Sequence, residues 1–205
     1  MATVDEPIVS AIVPACAPSQ AVSYLVDVEG RVLSVDECQA VVAAFRKYGQ
    51  LVGVRWDLSF AQSCHETNVY RFGGDVRPEQ HNPAGIGTTG GGVPGLSFPD
   101  WDTGIAAMVV HLLAWCNRLD LAALIADPPS GLDPRIPLVI AGVNSKGPAT
   151  TWRSLGGRWA VPGLTYGEGI QRHYNGVLAR PKPPPAPVVA SPAFGGWRAV
   201  WGKEP

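Results

Sequence analysis

The sequence predicts an α+β fold that is mainly α-helical and carries one small Gly-rich β lobe. In several segments apolar residues recur at three- and four-residue spacing, which is the period of a helix with one buried face. Between two such segments, residues 68–98 are rich in glycine, which is typical of turns and a hairpin. The chain has 205 residues and 46% hydrophobic residues. These values indicate a globular chain of about one domain.

The first long helix is predicted from Ser34. Ser34 and Glu37 have the spacing of a capping box, in which the two side chains satisfy backbone N–H groups at the start of a helix. The apolar residues within 35–45 follow at helical spacing and define one buried face. Either Gly49 or Gly53 ends this helix.

A second helix is predicted from Asp57, a residue type that suits the N-cap, to about Glu66. Its apolar residues lie on one side, whereas Gln62 and Glu66 share a polar side. The remaining helices are predicted over about 100–118, near 120–126, near 133–143 and after Tyr166.

The chain divides into three parts. Residues 1–22 are apolar without a period and are predicted to be an extended N-terminal segment. Residues 23–180 contain the helices and form the domain that carries the function. Residues 181–205 form a Pro-rich linker, which favours extended polyproline conformation, and a short basic tail.

Composition excludes several functional classes. The net charge of −1 excludes a uniformly basic nucleic-acid-binding protein. Basic residues nevertheless exceed acidic ones from residue 146 onward, which indicates either contact with an anionic polymer or an unevenly charged solvated surface. No apolar run approaches the roughly 18 residues of a membrane-spanning helix. The four cysteines include no C-x-x-C pair, which disfavours a zinc site or a redox motif, and buried thiols are expected.

Glu66 is the residue most informative about chemistry. The C-terminal end of a helix carries partial negative charge, which disfavours an ionised carboxylate. Partial burial beside the Gly-rich lobe would raise the pKa of Glu66 further. Both effects suit a general acid that is protonated near neutral pH, although an ordinary surface glutamate fits the same pattern.

Four segments resemble the glucosaminidase family of bacteria and their phages, enzymes of the lysozyme-like superfamily. FAQSCHET over 60–67 is similar to the family's AQ..HET segment, and NPAGIG over 82–87 to its N-x-x-G-I turn. FPDWDTGIAA over 98–107 resembles the entry to its next helix. WAVPGLTYGEGI over 159–170 resembles its closing segment, with one extra residue before the tyrosine. The segments occur in family order.

This resemblance implies a lysozyme-like fold and hydrolysis of the glycosidic bond after N-acetylglucosamine in peptidoglycan, without a cofactor or a metal. Glu66 would be the general acid, and Tyr166 would contact the substrate N-acetyl group or serve as a core phenol. Asn82 is a further substrate-binding candidate, or a turn former. Gln62 and Trp159 complete the candidate substrate-binding set, Trp159 with core packing as its alternative.

The second carboxylate is the open question. Many members of the family carry it in the lobe, but residues 82–99 contain no Asp or Glu here. The nearest candidates are Asp75, Glu79, Asp100 and Asp102. Asp100 suits the N-cap of the following helix, and Asp102 suits either its first turn or the role of catalytic base. The alternative to a second carboxylate is assistance by the substrate's own acetamide.

Other functions remain open at this point. A non-catalytic peptidoglycan-binding or virion structural module on the same fold is the main alternative, and the acid-free lobe favours it. The helix carrying Cys64 could also hold a cysteine peptidase nucleophile, and His65 a zinc ligand, but neither has the spacing such sites need.

The start of the chain is acidic and lacks the basic beginning of a secretory signal. We therefore expect synthesis in the cytoplasm and action on the bacterial cell wall, as a phage endolysin or a virion-attached lysin. The sequence indicates no oligomeric state.

Overall fold

The computed structural model describes residues 3–10, 14–116, 121–127, 130–133, 135–141 and 149–182. These residues are mainly helical, as the sequence predicted. The α-helices are α1 (Pro18–Val26), α2 (Val35–Val52), α3 (Trp56–Glu66), α4 (Trp101–Trp115), α5 (Leu121–Ala126), α6 (Arg135–Ala141) and α7 (Tyr166–Leu178), and Pro78–Gln80 and Arg153–Leu155 form 3₁₀ helices.

Helix α2 begins with the predicted capping box. The backbone N–H of Glu37 donates to Ser34 Oγ over 3.2 Å, and the backbone N–H of Ser34 donates to Glu37 Oε2 over 2.7 Å. The helix ends at Gly53, whose φ of 69° is the left-handed conformation of a C-terminal glycine. Gly49 lies inside the helix instead, where a Cβ would come within 2.7 Å of Trp56 Cβ.

Helix α3 begins at Trp56, earlier than predicted, and Asp57 is not its N-cap. Arg55 holds that position, and Asp57 is buried in the first turn. The Asp57 carboxylate accepts two hydrogen bonds from the Arg55 guanidinium, at 2.8 and 2.7 Å. The prediction missed this because it considered only the capping preference of aspartate, not an ion pair formed two residues away.

Helix α3 lies between α2 and α7, and α2 also packs against α4. The rings of Phe45 and Phe60 meet edge to face at 5.9 Å in the α2–α3 contact. Almost every residue of α4 is buried. Gly104 lets the Gly-rich segment approach α4, because a Cβ there would lie 1.9 Å from the His81 carbonyl oxygen. This packing places the C-terminal end of α3 beside residues 68–98.

The N-terminal residues belong to the body of the fold. Val4 and Ile8 are 1% and 0% exposed, and the backbone N–H of Ile8 donates to the Thr150 carbonyl over 3.1 Å. Helix α1 begins at Pro18, inside the range predicted to be extended. Proline suits the first helical position, and α1 is stabilised by contacts with α2 and α7 that its aperiodic sequence does not reveal.

The predicted β lobe is not confirmed. Residues 68–98 consist of turns and the 3₁₀ helix Pro78–Gln80, without a β-strand. Cross-links such as the bond from the Leu96 N–H to the Ile86 carbonyl, at 2.8 Å, hold the segment together. Elsewhere in the described residues, β-pairing is limited to isolated bridges. We therefore refer to residues 68–98 as the Gly-rich lobe.

Two further expectations concern the ends of the chain and membranes. Among the helices that the structure describes, none combines the length and apolar character needed to cross a bilayer. The basic tail lies outside the described residues from 183 onward.

Candidate active site

Glu66 is the last residue of α3 and lines a cavity of about 320 Å³. Its side chain is only partly exposed. The Gly-rich lobe forms much of the remaining wall. The other lining residues are His65, Thr67, Asn68, Phe72, Gly74, Asp75, Val76, Gly85, Thr88 and Gly90.

The Glu66 carboxyl is held by neutral hydrogen-bond donors. The Tyr166 hydroxyl donates to Glu66 Oε1, and the Trp159 side chain donates to the same carboxyl group. Burial raises the pKa of Glu66 to about 7, while the bonds from Tyr166 and Trp159 act in the opposite direction. No Lys or Arg among the described residues forms an ion pair with this carboxyl. Glu66 can therefore carry a proton at neutral pH.

Gln62 orients the tyrosine that binds Glu66. Gln62 lies one turn before Glu66 on α3, is fully buried, and donates from Nε2 to the Tyr166 hydroxyl over 2.9 Å. The hydroxyl thus accepts from Gln62 and directs its proton to Glu66. Burial and the neighbouring Glu66 raise the pKa of Tyr166 well above its usual value, which keeps the hydroxyl a donor.

Trp159 is positioned by aromatic rings of α4. Its ring lies 4.8 Å from the His111 ring and 6.3 Å from the Trp115 ring. The Trp115 indole N–H donates to His111 Nε2 over 2.9 Å, which fixes that imidazole. Burial lowers the pKa of His111 to about 4, so the ring beside Trp159 is neutral near pH 7.

The chain reverses sharply after Glu66 through left-handed backbone conformations. Asn68, Val69, Tyr70 and Phe72 have φ between 53° and 60°. This conformation is unfavourable for non-glycine residues, and most of all for a β-branched one such as Val69. Tyr70 secures the turn, because its side chain is buried and its hydroxyl lies 2.7 Å from Ser63 Oγ. The reversal directs the chain from the end of α3 into the Gly-rich lobe.

His65 forms the side of the cavity next to α7. Its ring meets Tyr166 edge to face at 5.2 Å and packs over Gly169, where a Cβ would lie 2.4 Å from His65 Cε1. The ring also lies 5.8 Å from that of His173. Burial, followed by the charge of Arg172, lowers the pKa of His65. Glu66 therefore has a neutral neighbour on this side.

The structure brings Glu66, Gln62, Trp159 and Tyr166 together, whereas Asn82 is used within the lobe. Asn82 is fully buried. Its Oδ1 accepts from the N–H groups of Ala84 and Ile86, and its Nδ2 donates to the carbonyls of Ile86 and Leu96. This arrangement agrees with the turn-forming alternative for Asn82.

The predicted acids of the following helix lie apart from the cavity. The Asp102 carboxylate binds Lys47 at 3.0 Å and accepts from the Tyr48 hydroxyl at 2.5 Å. Asp100 caps α4 by accepting from the Thr103 N–H at 2.8 Å. Among the described residues that line the cavity of Glu66, neither aspartate is present. Asp102 thus forms an ion pair with Lys47 and does not line the cavity of Glu66.

Asp75 is the second carboxylate of the cavity wall. Its Oδ1 accepts from the backbone N–H of Gly92 over 3.1 Å. The sequence offered Asp75 only as one of several nearby acids, because it lies in a segment without helical period and precedes the family's lobe position. Its proximity to the cavity follows from the reversal after Glu66.

Comparisons with known proteins add no activity to this description. No family description matches the chain, and no solved structure matches it. A protein of Borreliella burgdorferi, described as an uncharacterized protein, is 35% identical over 108 residues, which is 53% of this chain and 48% of that protein. The chain thus spans about half the length of this curated relative.

Proposed function

We propose that the chain is a peptidoglycan hydrolase that cleaves the glycosidic bond after N-acetylglucosamine, with Glu66 as its general acid. The observation that carries this proposal is the neutral setting of Glu66. A carboxyl group with a pKa raised to about 7 lines a cavity and is held by donors alone. Protonated carboxylic acids of this kind deliver the proton to the leaving oxygen in glycoside hydrolysis.

In this reaction the Glu66 proton passes to the glycosidic oxygen as the bond from that oxygen to the sugar C1 breaks. The transition state has oxocarbenium character, and water then adds to C1. Tyr166 and Trp159 hold the carboxyl in one orientation through their hydrogen bonds. Since both act as donors to Glu66, the carboxyl proton is left to the substrate.

The proposal extends to the fold and the partners. A lysozyme-like arrangement is supported by the position of the acid, at the end of a helix that packs between α2 and α7 and lies beside a Gly-rich lobe. The substrate is peptidoglycan. Contact of the basic tail with anionic wall polymers stays a prediction, as does release of the enzyme by a phage. The segment 82–99, which lacks acids, favours a non-catalytic wall-binding module as the second candidate.

The test compares wild-type protein with Glu66→Gln on purified cell walls. The substitution preserves size and the acceptor for Tyr166 but removes the acid. General acid catalysis contributes roughly 10²–10⁴-fold, so loss of turbidity should slow by that order. Glu79→Gln is the matched control, because Glu79 is an exposed acid of the lobe that does not line the cavity, and it should lyse walls at the wild-type rate.

Mass analysis of the digested peptidoglycan identifies the bond. New reducing ends on N-acetylglucosamine are expected. Ends on N-acetylmuramic acid would reassign the enzyme as a muramidase, and new free amino groups would indicate an amidase or a peptidase. Wild-type protein that pellets with walls without changing their turbidity would support the non-catalytic module, and a folded Glu66→Gln variant with wild-type lysis would exclude Glu66 as the acid.

A further inference from the structure

The cavity of Glu66 has a second acidic side chain, Asp75. These two residues are the only acids among the described residues that line it. Asp75 lies nine positions after Glu66, and the left-handed reversal over 68–72 returns the chain so that both residues line one cavity. This cavity of about 320 Å³ has room for a sugar unit and water.

Asp75 is oriented by the backbone of the Gly-rich lobe. The Gly92 N–H donates to its Oδ1 over 3.1 Å. Gly90, Gly91 and Gly92 have φ of 78°, 67° and 87°, which glycine adopts without strain. Within the part of the chain that the structure describes, Asp75 forms no ion pair and its Oδ2 accepts no hydrogen bond. One oxygen is thus anchored and the other remains available to a water molecule.

The other candidate acids are occupied elsewhere. Lys47 and Tyr48 bind the Asp102 carboxylate. The Asp100 carboxylate caps the start of α4 by accepting from the Thr103 N–H. Glu79 lies in the 3₁₀ helix of the lobe and is exposed. None of these three acids lines the cavity within the described residues.

We propose that Asp75 is the catalytic base of the hydrolysis assigned above, an inference that rests on the proposed function. The Asp75 carboxylate takes a proton from a water molecule as the water oxygen forms a bond to the sugar C1. The bond from C1 to the leaving oxygen breaks, and that oxygen receives the proton of Glu66. Asp75 then releases its proton to solvent and Glu66 takes one up from solvent. These transfers restore the starting state, so no other reactant is needed. Attack by water in one displacement inverts the configuration at C1.

The experiment measures cleavage of soluble peptidoglycan fragments by wild type, Asp75→Asn, Asp75→Ala and Glu79→Gln. Loss of the base should lower turnover by roughly 10²–10⁴-fold in both Asp75 variants, with little change in KM. Glu79→Gln should retain wild-type turnover. Circular dichroism and urea unfolding of each variant show whether it is folded.

Two readouts separate catalysis from a structural role of Asp75. The first is proton NMR of the wild-type products early in the reaction, where the α anomer of the new N-acetylglucosamine end is expected. The second is addition of azide to Asp75→Ala. Azide needs no base, so it should restore turnover and form an N-acetylglucosaminyl azide of α configuration. A side chain that only stabilises the lobe would not allow this rescue.

The outcomes distinguish the two proposals. If Glu66→Gln is inactive while Asp75→Asn retains wild-type turnover, the role of Asp75 is overturned and the proposed function stands. A β anomer from wild-type enzyme also overturns it and favours acetamide assistance. If Glu66→Gln remains active, the proposed function fails and the assignment of Asp75 fails with it. If the Asp75 variants do not fold, a β anomer from the wild-type enzyme still overturns the role of Asp75.

Discussion

The two ends of helix α3 each hold a carboxyl group that is largely removed from water, but in opposite surroundings. At the first turn, Asp57 is 1% exposed and lies against the Arg55 guanidinium. At the last residue, Glu66 lines a cavity and is bound by Tyr166 and a tryptophan, both neutral donors. Helix α3 thus carries Asp57, which is paired with a cation, and Glu66, which has no cationic partner among the described residues.

The comparison shows that the partner, more than burial itself, decides what a carboxyl group can do. Arg55 bridges Asp57 and Glu6, at 2.7 and 2.5 Å, and ties the N-terminal segment to α3. These ion pairs contribute to structure. Without a cation, the cost of burying charge falls on the ionised form of Glu66, so its pKa rises. The end of the helix adds to this effect.

Removing the carboxylate at the first end should give the largest effect on stability. Asp57→Asn leaves Arg55 buried with only Glu6 as its ionic partner. Breaking a buried pair costs about 3–5 kcal/mol, and we expect the free energy of unfolding in urea to fall by that amount. The control is Asp5→Asn, because Asp5 and Glu168 are exposed acids that both bind Arg153, and no measurable change is expected when one of them is removed. Equal effects of the two variants would contradict the contrast between buried and exposed pairs.

At the other end, Glu66→Gln should change how stability depends on pH. The folded pKa of about 7 exceeds the ordinary value of 4.5, so the folded state binds the proton more tightly. This contribution is fully present below pH 4.5 and is lost as pH rises through about 7. Glu66→Gln has no ionisable group at this position, so its stability does not fall in this way as the pH rises. Relative to wild type it should gain about 1–3 kcal/mol between pH 4.5 and 8, discounted for partial exposure.

Urea unfolding of both proteins across this pH range measures the difference. Asp57→Asn provides the comparison, since this variant keeps Glu66 and therefore keeps the pH-dependent contribution of that residue. A difference between Glu66→Gln and wild type that is independent of pH would mean that Glu66 is already ionised in the folded protein at pH 5.

The smallest expected effect comes from Tyr166→Phe, which removes one donor to Glu66. The Tyr166 hydrogen bond lowers the pKa of Glu66, so its loss should raise that pKa. The alkaline limb of the proposed wall-lytic activity, where the acid loses its proton, should then move up by as much as about one pH unit. The pH dependence of kcat/KM on soluble fragments measures this. Tyr24→Phe is a control, because its hydroxyl contacts His173 and not Glu66. A downward shift would contradict the role of Tyr166 as a donor.

Local patterns were sufficient for much of the helical framework. The capping box at Ser34, the apolar face of α2 and the start of the last helix at Tyr166 all depend on residues within a few positions of one another. The position of Glu66 at the end of α3 followed in the same way. Helix α1 was missed, because its stability comes from packing on α2 and α7.

The residues that surround Glu66 could not be predicted from local sequence patterns. Tyr166 lies 100 positions after Glu66, and no local period links the two. The turn over 68–72 has Val69, Tyr70 and Phe72 in left-handed conformations where glycine would be expected, so the sequence does not reveal this backbone geometry. The β lobe was inferred from glycine content and is not confirmed, because glycine content indicates turns without specifying strand pairing.

By itself, the sequence determined a mainly helical chain with a carboxyl group at the end of a helix beside a Gly-rich segment. Helical period, caps and end charges act over one or two turns, so they can be read from neighbouring residues. Only the tertiary structure decided that Asp57 is neutralised by Arg55, that Glu66 is surrounded by neutral donors, and that Asp75 and not Asp102 shares its cavity. The charge state of a buried group depends on every group packed around it, and those groups come from distant parts of the chain.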